Sequence, residues 1–227
     1  MKKFLTLFLC ASMILSGCST MSKTGKGAII GGGSGAALGA GLGAIIGKDG
    51  KSTAIGAAVG SAVGAGVGAI IGKQMDKKAA ELAALEGADV ETVKDANGLD
   101  AIKVTFESGI LFNTSSSVLN KASQNALTKF ASEMKDLPDT DLTIYGHTDN
   151  TGTAEYNEKL SVQRAEAVSS FLKSCGMSAG RMTVEGKSFT MPVADNSTVE
   201  GRLQNRRVEI YVTANEEMIK KAENGEI

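Results

Sequence analysis

From residue 27 to residue 72, glycine returns at every fourth position: at 27, 31, 35, 39, 43 and 47, then at 56, 60, 64, 68 and 72. The break between the two rows is Lys48-Asp49-Gly50-Lys51-Ser52. The gaps are filled by Ala, Ile, Leu and Val, and neither arm carries an internal charge. The arms also repeat each other: the run from Ala36 to Lys48 matches the run from Ser61 to Lys73 almost residue for residue. In water such a segment is a poor helix, because each glycine costs about 1 kcal/mol relative to alanine. In lipid the backbone must satisfy its own hydrogen bonds, so an apolar segment becomes helical. A four-residue glycine row then gives a flat stripe along which two helices approach closely. Each arm, at about 20 residues and about 1.5 Å rise, matches one hydrocarbon thickness. The pattern predicts a glycine-zipper helical hairpin over 27–73 that spans a membrane, with its turn at 48–52. A flexible linker is the competing reading, but flexible linkers are rich in Gly and Ser, whereas these gaps hold Ile, Val and Leu. Lys23, Lys26, Lys73, Lys77 and Lys78 flank the arms and suit headgroup contacts.

The first residues are those of a secretory signal. Lys2 and Lys3 precede a short apolar run, Phe4 to Leu15, too short to span a bilayer. Leu15-Ser16-Gly17-Cys18 resembles a bacterial lipobox, in which cleavage precedes a cysteine that is then lipidated. This makes 1–17 the signal, Cys18 the lipidation site and 18–26 a lipidated lead-in. Ordinary signal cleavage beside an incidental cysteine is the alternative. Several acyl chains, at about 0.8 kcal/mol per buried CH₂, would anchor the protein stably. Ser19 stands where an Asp resembles an inner-membrane retention signal, which directs the protein to the outer membrane, with lipid as a partner. Cys10 leaves with the signal, so Cys175 is the one thiol left to the folded part and cannot form an internal disulfide. Without Lys2 and Lys3 the chain has 22 basic and 25 acidic residues, which argues against nucleic acid as a partner.

Beyond the hairpin, residues 74–99 read as a helical extension and a linker, with Gln74–Glu86 continuing the second helix and Gly87–Gly98 a connector. Residues 100–213 have the composition of a globular domain, and 214–227 of an exposed tail. Four β-like runs lie in the domain: Ala101–Phe106, Leu142–Tyr145, Met182–Glu185 and Val208–Val212. Two amphipathic helices lie between them, one carrying Leu127, Phe130 and Met134, the other Leu160, Val168, Phe171 and Leu172. The order βαβαββ predicts an α+β sandwich, helices packed on one face of a mixed sheet.

The chemistry concentrates between Ile144 and Ala165. Asp149 sits in a Gly/Thr/Asn loop after a strand, and Arg164 lies fifteen residues on, inside a helix. At about 100° per residue, Leu160, Phe171, Arg164, Cys175 and Val168 share about 80° of arc, so the guanidinium lies within the apolar face. A charge there needs a partner. Asp149 and Arg164 could grip a small zwitterion, ammonium on the carboxylate and carboxylate on the guanidinium, or simply brace the helix to the loop. His147, the single histidine, lacks the companions of a metal site. Arg202, Arg206 and Arg207 read either as bracing and solvated charges or as ligand contacts, and Asn157 and Asn205 as loop fasteners or contacts.

The motifs in sequence are Phe112, then Gly146-His147-Thr148-Asp149 and Gly152, Asn157, Leu160-Ser161, Arg164-Ala165, Arg181, Gly186, Pro192, Asn196, Gly201-Arg202 and Asn205-Arg206-Arg207-Val208-Glu209. Residues 100–213 therefore resemble the OmpA-like module, also found at the C-terminus of Pal and MotB proteins, which binds peptidoglycan without cutting it. With the lipobox and the zipper, the whole chain is similar to YiaD-type outer-membrane lipoproteins. The resemblance implies that Asp149 and Arg164 hold the diaminopimelate of the peptidoglycan stem peptide. It implies secondary contacts at Asn113, Thr148, Asn157, Leu160, Asn205 and Arg207, and neither a metal nor a cofactor. The chain departs from the pattern at Asn113, where Asp is frequent, and at Ser188, where a second Gly is common.

The leading expectation is thus a non-catalytic tether, lipid-anchored in the outer membrane with the C-terminal domain on the wall in the periplasm. The rival is a zipper activity: a homo-oligomer, pore or outer-membrane assembly factor for which wall binding is only location. An enzyme has little support, since no Ser/His/Asp, Cys/His or zinc-ligand spacing is present.

Overall fold

The computed structural model describes residues 64–107, 111–112 and 115–227. The signal, Cys18, the first zipper arm, the hairpin turn and Asn113 lie outside the described residues.

Five strands form one mixed sheet: β1 (Ala88–Lys94), β2 (Asp100–Glu107), β3 (Thr140–Gly146), β4 (Met182–Gly186) and β5 (Arg207–Ala214), in the order β1-β2-β5-β3-β4. All neighbours are antiparallel except β3 and β4, whose parallel pairing requires a crossover helix. The register puts Ile102, Val104 and Phe106 of β2 beside Val212, Ile210 and Val208 of β5, and Leu142 and Ile144 of β3 beside Val212 and Ile210. All eight are fully buried. The intervening residues, including Lys103, Thr105, Glu209 and Tyr211, face the other way, so one face is apolar and the other polar.

The apolar face is covered by α1 (Ala65–Leu82), α2 (Lys121–Glu133), α3 (Ala154–Ser174) and α5 (Glu216–Asn224), while the short α4 (Val199–Asn205) leads into β5. α2 contributes Leu127 and Phe130, and α3 contributes Ala165, Val168 and Leu172, all without exposed surface. α3 is the crossover from β3 to β4 and packs on both strands. The expected α+β sandwich, helices on one face of a mixed sheet, is the fold observed.

Three elements differ from expectation. Residues 88–94, within the expected connector, form β1, which pairs with β2 along its whole length. Its Asp89, Glu91 and Thr92 are exposed, as on an edge strand, so it lacks an apolar alternation. Asp95 closes the β1–β2 turn by accepting from the backbone N–H groups of Asn97 and Leu99, both at 2.8 Å. Residues 216–224, within the expected exposed tail, form α5. Met218, Ile219 and Ala222 are buried, and α5 packs against α1. Asn215 caps its start and Gly225, at φ 71°, its end.

The third difference concerns the zipper. Residues 65–73, expected inside the membrane hairpin, begin α1, and that helix docks on the sheet through Ile71, Met75 and Leu82. A Cβ on Gly72 would stand 2.6 Å from the carboxylate of Asp100 on β2, so this glycine permits close approach to a strand rather than to a second helix. Lys78, expected at a headgroup, is buried and donates to the Glu133 carbonyl at 2.9 Å. Among the described residues no helix is long and apolar enough to cross a membrane.

Candidate binding site at the end of β3

β3 ends at Gly146, and the chain turns through His147-Thr148-Asp149 into α3. Thr153 caps α3, its Oγ1 accepting from the Tyr156 N–H at 3.2 Å. The loop is fixed from several sides. The Asp149 Oδ1 accepts from the Thr151 N–H at 2.8 Å, Asn157 donates its side-chain N–H to the Thr151 carbonyl at 2.9 Å, and the Thr148 N–H donates to the Ser188 carbonyl at 2.9 Å. Ser188 sits at φ 50°, a left-handed conformation that suits glycine. The serine keeps the turn at the cost of some strain.

Asp149 is only 7% exposed, and its Oδ2 is held by Arg206 Nη1 in an ion pair. Burial pushes its carboxyl up, but the Arg206 guanidinium and the Thr151 N–H outweigh it and hold the group below its ordinary value.

Arg164, on α3, is 2% exposed. Its Nε donates to the Ser116 carbonyl at 3.2 Å, and its guanidinium lies over the Phe112 ring, 5.4 Å from the centroid. Its Nη1 is buried and has no hydrogen-bond partner among the described residues. Burial, and then the like charge of Arg206, lower its pKa, with Tyr156 and Asp149 opposing. The Thr148 Oγ1 is a second buried polar atom without a partner among the described residues.

The bracing reading of Asp149 and Arg164 fails, because Asp149 pairs with Arg206 instead. The arrangement leaves an acid held by a movable cation beside a buried guanidinium with an open N–H. Chemically this suits a ligand that carries a carboxylate and a cation close together.

The other expected contacts divide. Thr148 is in the loop with its hydroxyl open, and Leu160 is buried on α3 at 8% exposure. Asn157 ties down the loop. Asn205 and Arg207 are held as braces in the structure. The Asn205 Oδ1 accepts from the N–H groups of Val193 and Ala194, and its Nδ2 donates to the Ala194 carbonyl and the Asn196 Oδ1, so all four of its positions are taken. The three nitrogens of Arg207 go to Glu209 Oε1 at 2.7 Å, the Asn205 carbonyl at 3.3 Å and the Met191 carbonyl at 3.1 Å. Burial disfavours the Glu209 carboxylate, but His147 and Arg207 beside it bring its pKa down to about 2. Arg202 likewise braces, donating to the carbonyls of Asn196 and Ser197. Arg206 is the site residue that spacing misses. Successive residues entering a strand point to opposite sides, so Arg206 and Arg207 diverge although they look alike in sequence.

A family model described as the OmpA family matches residues 111–206. A structure described as the cell wall anchor of the type VI secretion system (T6SS) from Pseudomonas aeruginosa aligns with a TM-score of 0.53 and 34% identity, covering 62% of this chain and 97% of that one. The chain belongs to the OmpA family. Within this OmpA-family domain lie every element of the Asp149–Arg164–Arg206 site. Residues 1–76 match a second model, the YMGG-like Gly-zipper. The chain is also 37% identical over 140 residues to the probable lipoprotein YiaD of Escherichia coli, covering 61% of this chain and 63% of YiaD. It is 43% identical over 107 residues to the outer-membrane lipoprotein YfiB of Pseudomonas aeruginosa, covering 47% of this chain and 64% of YfiB. The chain thus spans less than two thirds of the length of these curated relatives.

Proposed function

We propose that the OmpA-family domain binds peptidoglycan without catalysis, by gripping the diaminopimelate of the stem peptide between Asp149 and Arg164. The observation that carries this reading is the open Nη1 of a 2%-exposed arginine beside a buried acid. A buried cation without a full set of partners is costly, and a bound carboxylate would supply the missing one. Diaminopimelate offers an ammonium and a carboxylate on one carbon, which matches one acid and one guanidinium. Thr148, with its open hydroxyl, is a neighbouring donor or acceptor for the same group. The anchor in this reading is lipid on Cys18, in the outer membrane, with the domain facing the periplasmic wall. Its support is the lipobox-like sequence and the relatives' names, a lipoprotein, an outer-membrane lipoprotein and a cell wall anchor. The result is a tether between membrane and wall.

The test is competition. Pure protein is expected to cosediment with purified Gram-negative sacculi and to be released by free diaminopimelate but not by 1,5-diaminopentane, which keeps both amines and lacks the carboxylates that Arg164 would hold. Equal release by both compounds, or by neither, would contradict the assignment.

A further inference from the structure

The structure presents a difficulty for any ligand at this site: both of its groups are covered. Asp149 is 7% exposed and Arg164 2%. An ammonium cannot reach the carboxylate unless something now touching it leaves. Two donors hold Asp149. One is the backbone N–H of Thr151, fixed in the loop by Asn157. The other is Arg206, a long side chain, one third exposed and anchored only through its backbone at the end of α4. Of the two, only Arg206 can move without disturbing the fold.

We infer that Arg206 is an internal stand-in for the ligand's cation: it neutralises Asp149 in the absence of ligand, gives way to the ligand's ammonium on binding, and swings out to solvent. This rests on the proposed peptidoglycan reading and extends it to how the site opens. The exchange conserves charge. One cation replaces another at Asp149, and the displaced guanidinium, already one third exposed, goes to solvent. The electrostatics favour the same sequence. Arg206 and Arg164 repel one another in the empty site. Departure of Arg206 would relieve that repulsion, and the ligand's carboxylate would fill the Nη1 of Arg164.

A stand-in competes with the ligand, so weakening it should tighten binding; a residue that merely orients Asp149 would do the opposite. In calorimetric titration of the full chain in detergent with diaminopimelate, Arg206→Gln is expected to bind about three- to fivefold tighter than wild type, the scale of a part-exposed ion pair. Arg206→Lys, which keeps a cation at the position, should stay near the wild-type value. 1,5-Diaminopentane, an amine without a carboxylate, should also bind Arg206→Gln more tightly than it binds wild type, a change that a structural role would not produce. Circular dichroism establishes that both variants are folded. Weaker or unchanged binding of diaminopimelate by folded Arg206→Gln would overturn the stand-in while leaving the peptidoglycan reading intact. A wild-type protein that binds no diaminopimelate would remove both.

Discussion

Arg164→Met is expected to abolish wall binding while leaving the protein folded. In the proposed reading the guanidinium supplies the charge-assisted contact to the ligand's carboxylate, and its loss should weaken sacculus binding by about a hundredfold or more, equivalent to about 2.7 kcal/mol. Stability should respond differently. Arg164 is 2% exposed; among the described residues its Nη1 has no partner and its Nε donates to Ser116. Methionine removes the desolvated charge, fills most of the same volume and keeps contact with the Phe112 ring. The unfolding free energy in urea should therefore fall by no more than about 1 kcal/mol, or rise. A residue placed for the fold would show the reverse pattern: lost stability with binding retained by the folded fraction.

The second large effect is expected at Gly146, where β3 hands over to the site. A Cβ there would fall 2.0 Å from the Ser161 carbonyl oxygen and 2.9 Å from its carbon, backbone atoms of α3 that cannot swing aside. Gly146→Ala must lift α3 off the sheet, at a cost of about 3 kcal/mol or more in urea unfolding. Because α3 carries Arg164, wall binding should fall with it. Gly66 is the contrast: exposed on α1, with nothing within 4 Å of an added Cβ. Gly66→Ala should leave stability unchanged or raise it by up to about 1 kcal/mol, the difference in helix propensity. Equal effects at the two positions would show that α3 does not depend on close contact with β3.

The same two positions illustrate how far the sequence carries. Gly146 stands in a run, Gly-His-Thr-Asp, that marks the loop, and the helical phase of Arg164 places it in the apolar arc that α3 turns inward. The first follows from a local motif and the second from helical periodicity. Arg206 does not, because its meaning depends on a loop 57 residues earlier in the chain. Asn205 and Arg207 look like ligand contacts for the same reason: polar residues in a recognisable motif, whose bracing partners at Met191, Val193 and Ala194 come from the loop before α4. β1 escapes notice because an edge strand needs only one partner and can leave its charges in water. The docking of α5 escapes because its three-residue apolar face is buried only where α1 covers it. α1 itself changes the meaning of the last glycines of the zipper. The helix that begins in that repeat is seated on the domain, so the end of the zipper and the helix that carries Arg164 share one packed core.

The most direct test of the account is a crystal structure of the chain soaked with diaminopimelate. The account predicts the ligand's ammonium within about 3 Å of an Asp149 carboxylate oxygen and its carboxylate on the Nη1 of Arg164. Diaminopimelate bound elsewhere, or bound here with the Arg164 Nη1 still bare, would contradict it.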